Sequence, residues 1–211
     1  KNPAHSQEWL YTVRPGDNLW NLTAEHLTRM DYWPKLQAMN QVADPERLPP
    51  GMKLRIPIAW LKRLPATAQV LNVQGRAQAT IAATNQTIPV NSGLFLQSGD
   101  IIRTSPDSNV TLEFGDGSRL LLQADSQLSM DALSAYGQTR IVDTRLRLQH
   151  GRVESQVTPR PASGPRYEIW TPAAASAVRG TRYRLGMDLA TATARAEVLE
   201  GAVALQGRQK T

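Results

Sequence analysis

Tyr11-Thr12-Val13-Arg14-Pro15-Gly16-Asp17-Asn18-Leu19-Trp20 (YTVRPGDNLW) turns from one periodicity to another within ten residues. Before it, Trp9, Tyr11 and Val13 alternate with Leu10 and Thr12, the two-residue period of a strand. Pro15-Gly16 forces a turn. Beyond it Leu19, Leu22, His26/Leu27 and Met30 recur at helical spacing, with Asp17 placed to cap the helix N-terminus. A second helix is expected from about Trp33 to Met39. Pro34 falls in its first turn, where a missing N–H costs nothing, and Trp33, Leu36 and Met39 share one face. Asn40 is the expected stop. After the loop QVADPERLPPG (41–51), Met52, Leu54 and Ile56 alternate with Lys53 and Arg55 in a second strand that ends at Pro57. The expected order is strand, helix, helix, strand.

From about residue 68 the helical period disappears. The runs QVLNVQGRAQATIAA, SNVTLEF, SRLLLQ, TRLRLQHGRVESQV, RYEIW, TRYRLGM and ARAEVLEGAVALQ read as strands separated by turn residues, the texture of an all-β domain. Phe114-Gly115-Asp116-Gly117-Ser118 reads as a hairpin turn. LQSGDI around Gly99, LQHGRV around Gly151 and VLEGAV around Gly201 recur. They fit either a repeated strand-turn-strand element or converged turn chemistry. The segment IPIAWLKRLPATA (56–68) is the expected linker. It keeps Ile58, Trp60, Leu61 and Leu64, so it is expected to pack rather than swing. VTPRPASGPR (157–166) reads as a flexible loop within the β region.

Composition bounds the chemistry. With 211 residues, the chain holds one large domain or two small ones, and 41% apolar against 20% charged residues marks a folded protein. Four of the five Trp precede residue 61, which points to two units with different cores. The absence of Cys excludes disulfides, thiolate metal sites and thiol catalysis. No apolar run approaches the roughly 20 residues of a membrane span. The start at Lys1 suits a processed secretory protein or a trimmed chain. The net charge of +6 is scattered, with no block of five basic residues, so it argues for no nucleic acid partner. Such a surface also suits anionic cell-wall polymers or lipid headgroups, or simple solubility.

Catalytic patterns are missing. His5, His26 and His150 have no metal-ligand spacing partners and read as surface or helix-face residues. Neither a Gly-x-Ser-x-Gly elbow nor a Walker phosphate loop occurs. Gly115-Asp116-Gly117 lies between strands with no following helix, so it is no phosphate cradle. Asp116, Asp125 and Asp131 are spread over turns and would form a glycosidase pair only by accident of folding. The expectation is no catalytic residue, no metal and no cofactor.

The N-terminal unit resembles a LysM domain, a carbohydrate-binding module of βααβ fold. The resemblance rests on Tyr11-Thr12-Val13 leading into Pro15–Trp20, then Leu36 and Asn40. It closes with Asp44-Pro45, Leu48 and Pro50-Gly51-Met52-Lys53-Leu54-Arg55-Ile56-Pro57. Asn18 stands where that family usually has Thr or Ser, and HLTRMDYWP (26–34) lengthens the helix–helix region. The resemblance implies binding of N-acetylated glycans, peptidoglycan or chitin-type, in a groove between the loop after the first strand and the loop before the second. By matching position the groove is Gly16, Asp17, Asn18 and Leu19 on one side, and Pro45, Glu46, Arg47, Leu48 and Pro49 on the other. Backbone groups of an opened turn would pair with acetamides, and Leu19 or Leu48 would cover the acetyl methyl. Against this stands plain structure: Asp17 as cap alone, Gly16 as turn residue, and Leu19, Leu22, Leu36 and Leu54 as core. Trp20 and Trp33 read as core.

The β region resembles a FecR-type domain. It matches through Leu96–Thr104 (LQSGDIIRT), Val110–Ser118 (VTLEFGDGS), Leu148–Val153, Thr171-Pro172, Val178–Tyr183 (VRGTRY) and Glu200–Val203. Such domains occur on the periplasmic side of proteins that relay ligand occupancy of outer-membrane transporters to a sigma factor. The fold, an envelope location and protein–protein contact are expected to carry over. The whole relay is not, since no sigma-binding helical segment or membrane span is read in these residues. Within the match, Val178-Arg179-Gly180-Thr181 reads as a structural turn in which Arg179 braces neighbouring strands.

The expected fold class is therefore α+β, a small βααβ LysM-like domain plus an all-β two-sheet FecR-like domain. The boundaries are a tail (1–8), the LysM-like domain (9–57), a linker (58–67), the FecR-like domain (68–207) and a tail (208–211). The expected function is non-catalytic binding of peptidoglycan or a related N-acetylglucosamine-containing glycan. This would localise the β domain for a partner or scaffold role in the periplasm or cell envelope of an exported protein. The alternatives are an envelope regulator acting mainly through an envelope protein partner, and a cryptic cell-wall hydrolase or its accessory.

Overall fold

The computed structural model describes residues 8–159, 166–178, 182–188, 190–200 and 203–207. Two compact units emerge. One is built on the chain up to Leu64 and includes Tyr136–Thr139; the other holds the remaining described residues from Pro65 onward.

In the first unit, strand β1 (Glu8–Thr12) runs antiparallel to β2 (Lys53–Pro57), from Glu8 opposite Pro57 to Thr12 opposite Lys53. Between them lie helix α1 (Leu19–His26), a 3-10 turn (Met30–Tyr32) and helix α2 (Trp33–Asn40). The alternation read from the sequence holds: Tyr11, Val13, Leu54 and Ile56 point into a core shared with Leu19, Leu22, Leu36 and Leu48. Helix α1 is shorter than the spacing suggested. It stops at His26, and Leu27 turns extended and bridges Leu61 instead of carrying the helix on to Met30. Helix α2 starts with Pro34 in its first turn and ends at Asn40, with Gln41 in the left-handed region. The Asn40 side chain does more than stop the helix. Its Oδ1 accepts the Arg55 N–H (2.7 Å) and its Nδ2 donates to the Arg55 carbonyl (3.0 Å), which pins α2 to β2.

The stretch after β2 packs, as its apolar residues suggested. Ile58 and Leu61 are buried, and Trp60 stacks on Tyr32 at 4.6 Å. Backbone bonds from Thr28 to Trp60 and from Lys62 to His26 tie it to the end of α1. Leu64, 43% exposed, takes no part in that core. His26 is not a surface residue but the buried face of α1, edge-on to Trp9 and tilted against Tyr11 at 5.3 and 5.5 Å.

After a short strand β3 (Arg63–Pro65), the second unit is β throughout. Its strands are β4 (Ala68–Gln74), β5 (Ala77–Ile81), β6 (Gln86–Pro89), β7 (Phe95–Leu96), β8 (Ile101–Thr104), β9 (Asn109–Phe114) and β10 (Arg119–Leu122). They continue with β11 (Gln127–Tyr136), β12 (Val142–Gln156), β13 (Tyr167–Trp170), β14 (Ala174–Val178), β15 (Arg182–Asp188), β16 (Thr193–Glu200) and β17 (Val203–Gly207). The run QVLNVQGRAQATIAA is two strands, broken at Gly75: β4 pairs with β7 and β9, β5 with β6 and β8. Phe114–Ser118 is the expected hairpin turn, closed by Phe114 N–H to Ser118 C=O (2.9 Å) and Gly117 N–H to Phe114 C=O (2.9 Å).

The long strand β12 organises the unit. Its first part pairs with β11 and β13, its last part with β10 and β15, and the change falls around Gly151. Gly151 has φ +91°, and a Cβ there would land on Ser126, whose Oγ instead accepts the Arg152 N–H at 3.0 Å. A left-handed residue within a strand bends it and lets it change partners. LQHGRV is thus one continuous bent strand, whereas Gly99 of LQSGDI occupies the turn between β7 and β8. Those two segments do not repeat one strand-turn-strand element, and Gly201 lies outside the described residues. So do Arg179, Gly180 and Thr181, and residues 160–165 of the expected loop. The core joins Val70, Leu112, Leu120, Leu146, Tyr167 and Tyr183, with Phe114 edge-on to Tyr167 at 5.7 Å.

Candidate functional site

The turn after β1 is held by Asp17, though not as a helix cap. Its Oδ2 accepts the Arg14 N–H (2.7 Å) and the Tyr11 hydroxyl (2.7 Å), closing the turn back on the strand. The helix cap is the next residue. Asn18 is extended (φ −137°, ψ 161°), and its Oδ1 accepts the Asn21 N–H at 2.8 Å. An amide at the N-cap does what the hydroxyl common in the resembling family would do. Gly16, at φ +91°, is exposed with no atom within 4 Å of where a Cβ would stand, so this side of the turn is open.

The second loop is equally ordered. Asp44 Oδ1 accepts the Glu46 N–H (2.9 Å), and Gly51 N–H and Val13 N–H exchange bonds with Val13 C=O (2.8 Å) and Met52 C=O (2.9 Å). The Leu19 N–H donates to the Pro45 carbonyl at 2.9 Å. One backbone bond therefore laces the two loops side by side; of the residues named from the sequence, Leu19 opens α1 and the others lie on one loop or the other.

Their side chains differ in what they present. Gly16, Glu46, Arg47 and Pro49 are exposed; Asp17, Asn18 and Pro45 are half-buried. Leu19 and Leu48 are buried in the core, so neither is available to cover an acetyl methyl. Trp20 was assigned to the core by sequence and is 58% exposed, while Trp33 is half-buried. The helix phase carried that signal: with Leu19, Leu22, Thr23 and His26 inward, the residue after Leu19 turns out of the core.

Two titrating groups sit behind the turn. Burial, then the hydrogen bond to Asp17, pushes the Tyr11 phenol up to about 12. Burial holds the His26 imidazole below its ordinary value, against the opposing pull of Glu25. Among the described residues no three acidic or His side chains gather as a metal site. Asp131, one of the scattered carboxylates, is paired with Arg147 at 2.6 Å.

Residues 11–57 match the family model of the LysM domain, and residues 100–204 match that of the FecR protein. The chain carries a LysM domain followed by a FecR domain. The LysM domain is a carbohydrate- and peptidoglycan-binding module, and FecR is associated with envelope signalling. Both are non-catalytic domain families typical of envelope proteins. The chain matched no curated protein and no solved structure. No helix of the described residues is long and apolar enough to cross a membrane.

Proposed function

We propose that this chain is a non-catalytic peptidoglycan-binding protein of the bacterial envelope. Its LysM domain (9–57) holds N-acetylated glycan in the groove between residues 16–19 and 45–49, and a packed linker (58–67) joins it to the FecR-like domain (68–207). The observation that carries the groove is the Leu19–Pro45 backbone bond, which sets the two loops beside each other with Gly16, Glu46, Arg47 and Pro49 outward. Recognition falls to backbone groups and to these exposed side chains, since Leu19 and Leu48 are core. The FecR-like domain is read as two packed sheets sharing β12, a reading supported by its change of partners around Gly151. It serves as scaffold or partner-binding body for an exported, periplasmic protein.

A second reading makes the protein a regulator acting mainly through an envelope protein partner, with glycan binding only localising it. The FecR match over residues 100–204 favours it.

Co-sedimentation with purified peptidoglycan tests the groove. The Glu46→Ala/Arg47→Ala pair should lower retention several-fold, while Leu10→Ala, exposed on the outer face of β1, should not. Equal retention of all three proteins would sink the groove assignment. Because the chain carries +6, retention abolished by raised salt would mean ionic adsorption instead. No retention at all would favour the partner-binding reading, and released muropeptides would revive a hydrolase.

A further inference from the structure

Strand β16 (TARAEVLE) pairs on one side with β15 and, among the described residues, with no strand on the other. A free strand edge offers a row of backbone N–H and C=O groups to another strand, and proteins usually shield it by shortness, Pro, Lys or a bulge. Other edges here follow that practice: β7 has two residues, and β6 has four and ends in Pro89. Among the described residues β16 is the longest edge strand: it pairs with β15 in unbroken register over Thr193–Val198, its register shift comes only at Leu199, and it has neither Pro nor Lys. Near its end Val198 and Leu199 are 44% and 37% exposed.

The residues of β16 are arranged so that the strand complements itself. In an antiparallel pair with a two-fold axis through Ala196, Arg195 of each copy faces Glu197 of the other. Ala194 faces Val198, within the regular part of the strand that ends before the shift at Leu199. Arg195 and Glu197 are exposed on one face, where Glu197 also lies 3.6 Å from Arg184. Ala194 and Ala196 are on the other face, packed against the core, so small Ala194 leaves room for Val198 and covers it. Centring the pair on Arg195 or on Glu197 instead sets like charges opposite each other, which is destabilising. Charge thus favours the Ala196 register over those centred on its two neighbours, and an isologous contact of this kind closes at two copies.

We propose that β16 is a self-pairing edge through which two copies of this chain join antiparallel about Ala196, continuing the sheet of one protomer into its partner. The occupant is a second copy because the Arg-Ala-Glu pattern answers itself.

Light scattering on the full chain across a concentration series reads this out. The wild type should pass from monomer to dimer. Arg195→Glu and Glu197→Arg should each weaken the dimer by roughly tenfold, by setting like charges opposite each other twice. The combined charge swap should return the dissociation constant to within a few-fold of wild type. Far-UV circular dichroism checks folding; if one single variant loses its signal, the other and the double carry the comparison. A monomer at every concentration would overturn the proposal. So would a dimer indifferent to both single changes, or one that the swap leaves weak.

Discussion

Asp17 and Asn18 exchange the roles that residue type suggested. Both are good N-caps, and which of them caps depends on where the chain turns: Asp17 faces back to Arg14 and Tyr11, so Asn18 meets the first turn of α1. Asn18→Ala should therefore cost about 1 kcal/mol in chemical denaturation followed by Trp fluorescence, which reports mainly the first unit. An unchanged midpoint would count against this assignment of the cap. The same logic disqualifies Asn18 and Leu48 as probes of glycan binding, since changing either disturbs folding before recognition. His26 supplies a pH dependence. Its folded-state pKa lies below the ordinary 6.5, so the neutral form stabilises the fold above that pH. As pH falls below about 6.5, the unfolded chain takes up a proton that the buried imidazole resists, and stability drops. Denaturation midpoints of the first unit measured from pH 8 to 5 should fall, and should flatten in His26→Phe.

Elements were legible where periodicity was clean. β1, β2, α2 and the Phe114–Ser118 hairpin all lie where alternation, Pro34 and the Gly-Asp-Gly turn placed them. β11 was not among the expected strands because its alternation breaks at a register shift between Met130 and Ala132. Nor was β14 (AASAV), whose Ala and Ser have no strand preference and which is held by pairing with β13 and β17. The Gly151 bend is equally invisible, since a Gly in a strand-like run usually reads as a turn. Gly151→Ala would force a side chain onto Ser126 in a left-handed conformation, and it should destabilise the second unit by at least roughly 1–3 kcal/mol. A wild-type melting temperature would refute the bend. In the stretch after β2, Leu61→Ala should cost about 2–5 kcal/mol because Leu61 is buried. Exposed Leu64→Ala should cost under about 0.5 kcal/mol.

For the whole molecule, the proposed glycan binding and the proposed self-pairing through β16 would act together. A dimer presents two LysM domains, and a polymer can engage both where geometry permits, raising retention by up to roughly 10²-fold without a new contact. Arg195→Glu should then lower retention on peptidoglycan while leaving affinity for a short N-acetylated oligosaccharide unchanged. Equal retention of both proteins would separate dimerisation from wall binding. The uneven Trp distribution anticipated two cores, and two compact units are found.

By itself, the sequence determined the βααβ order of the first unit, the β character of the second and the two polar turns that flank the helices, because these follow from local periodicity and turn chemistry. Only the tertiary structure decided that Leu48 faces the core, that Trp20 does not, and that Asn18 rather than Asp17 caps α1. It alone showed β12 bending at Gly151 to pair with different strands on either side, and β16 with one edge unpaired among the described residues. Those outcomes depend on which segments meet across long sequence separations, and residue spacing along one strand carries no record of its partners.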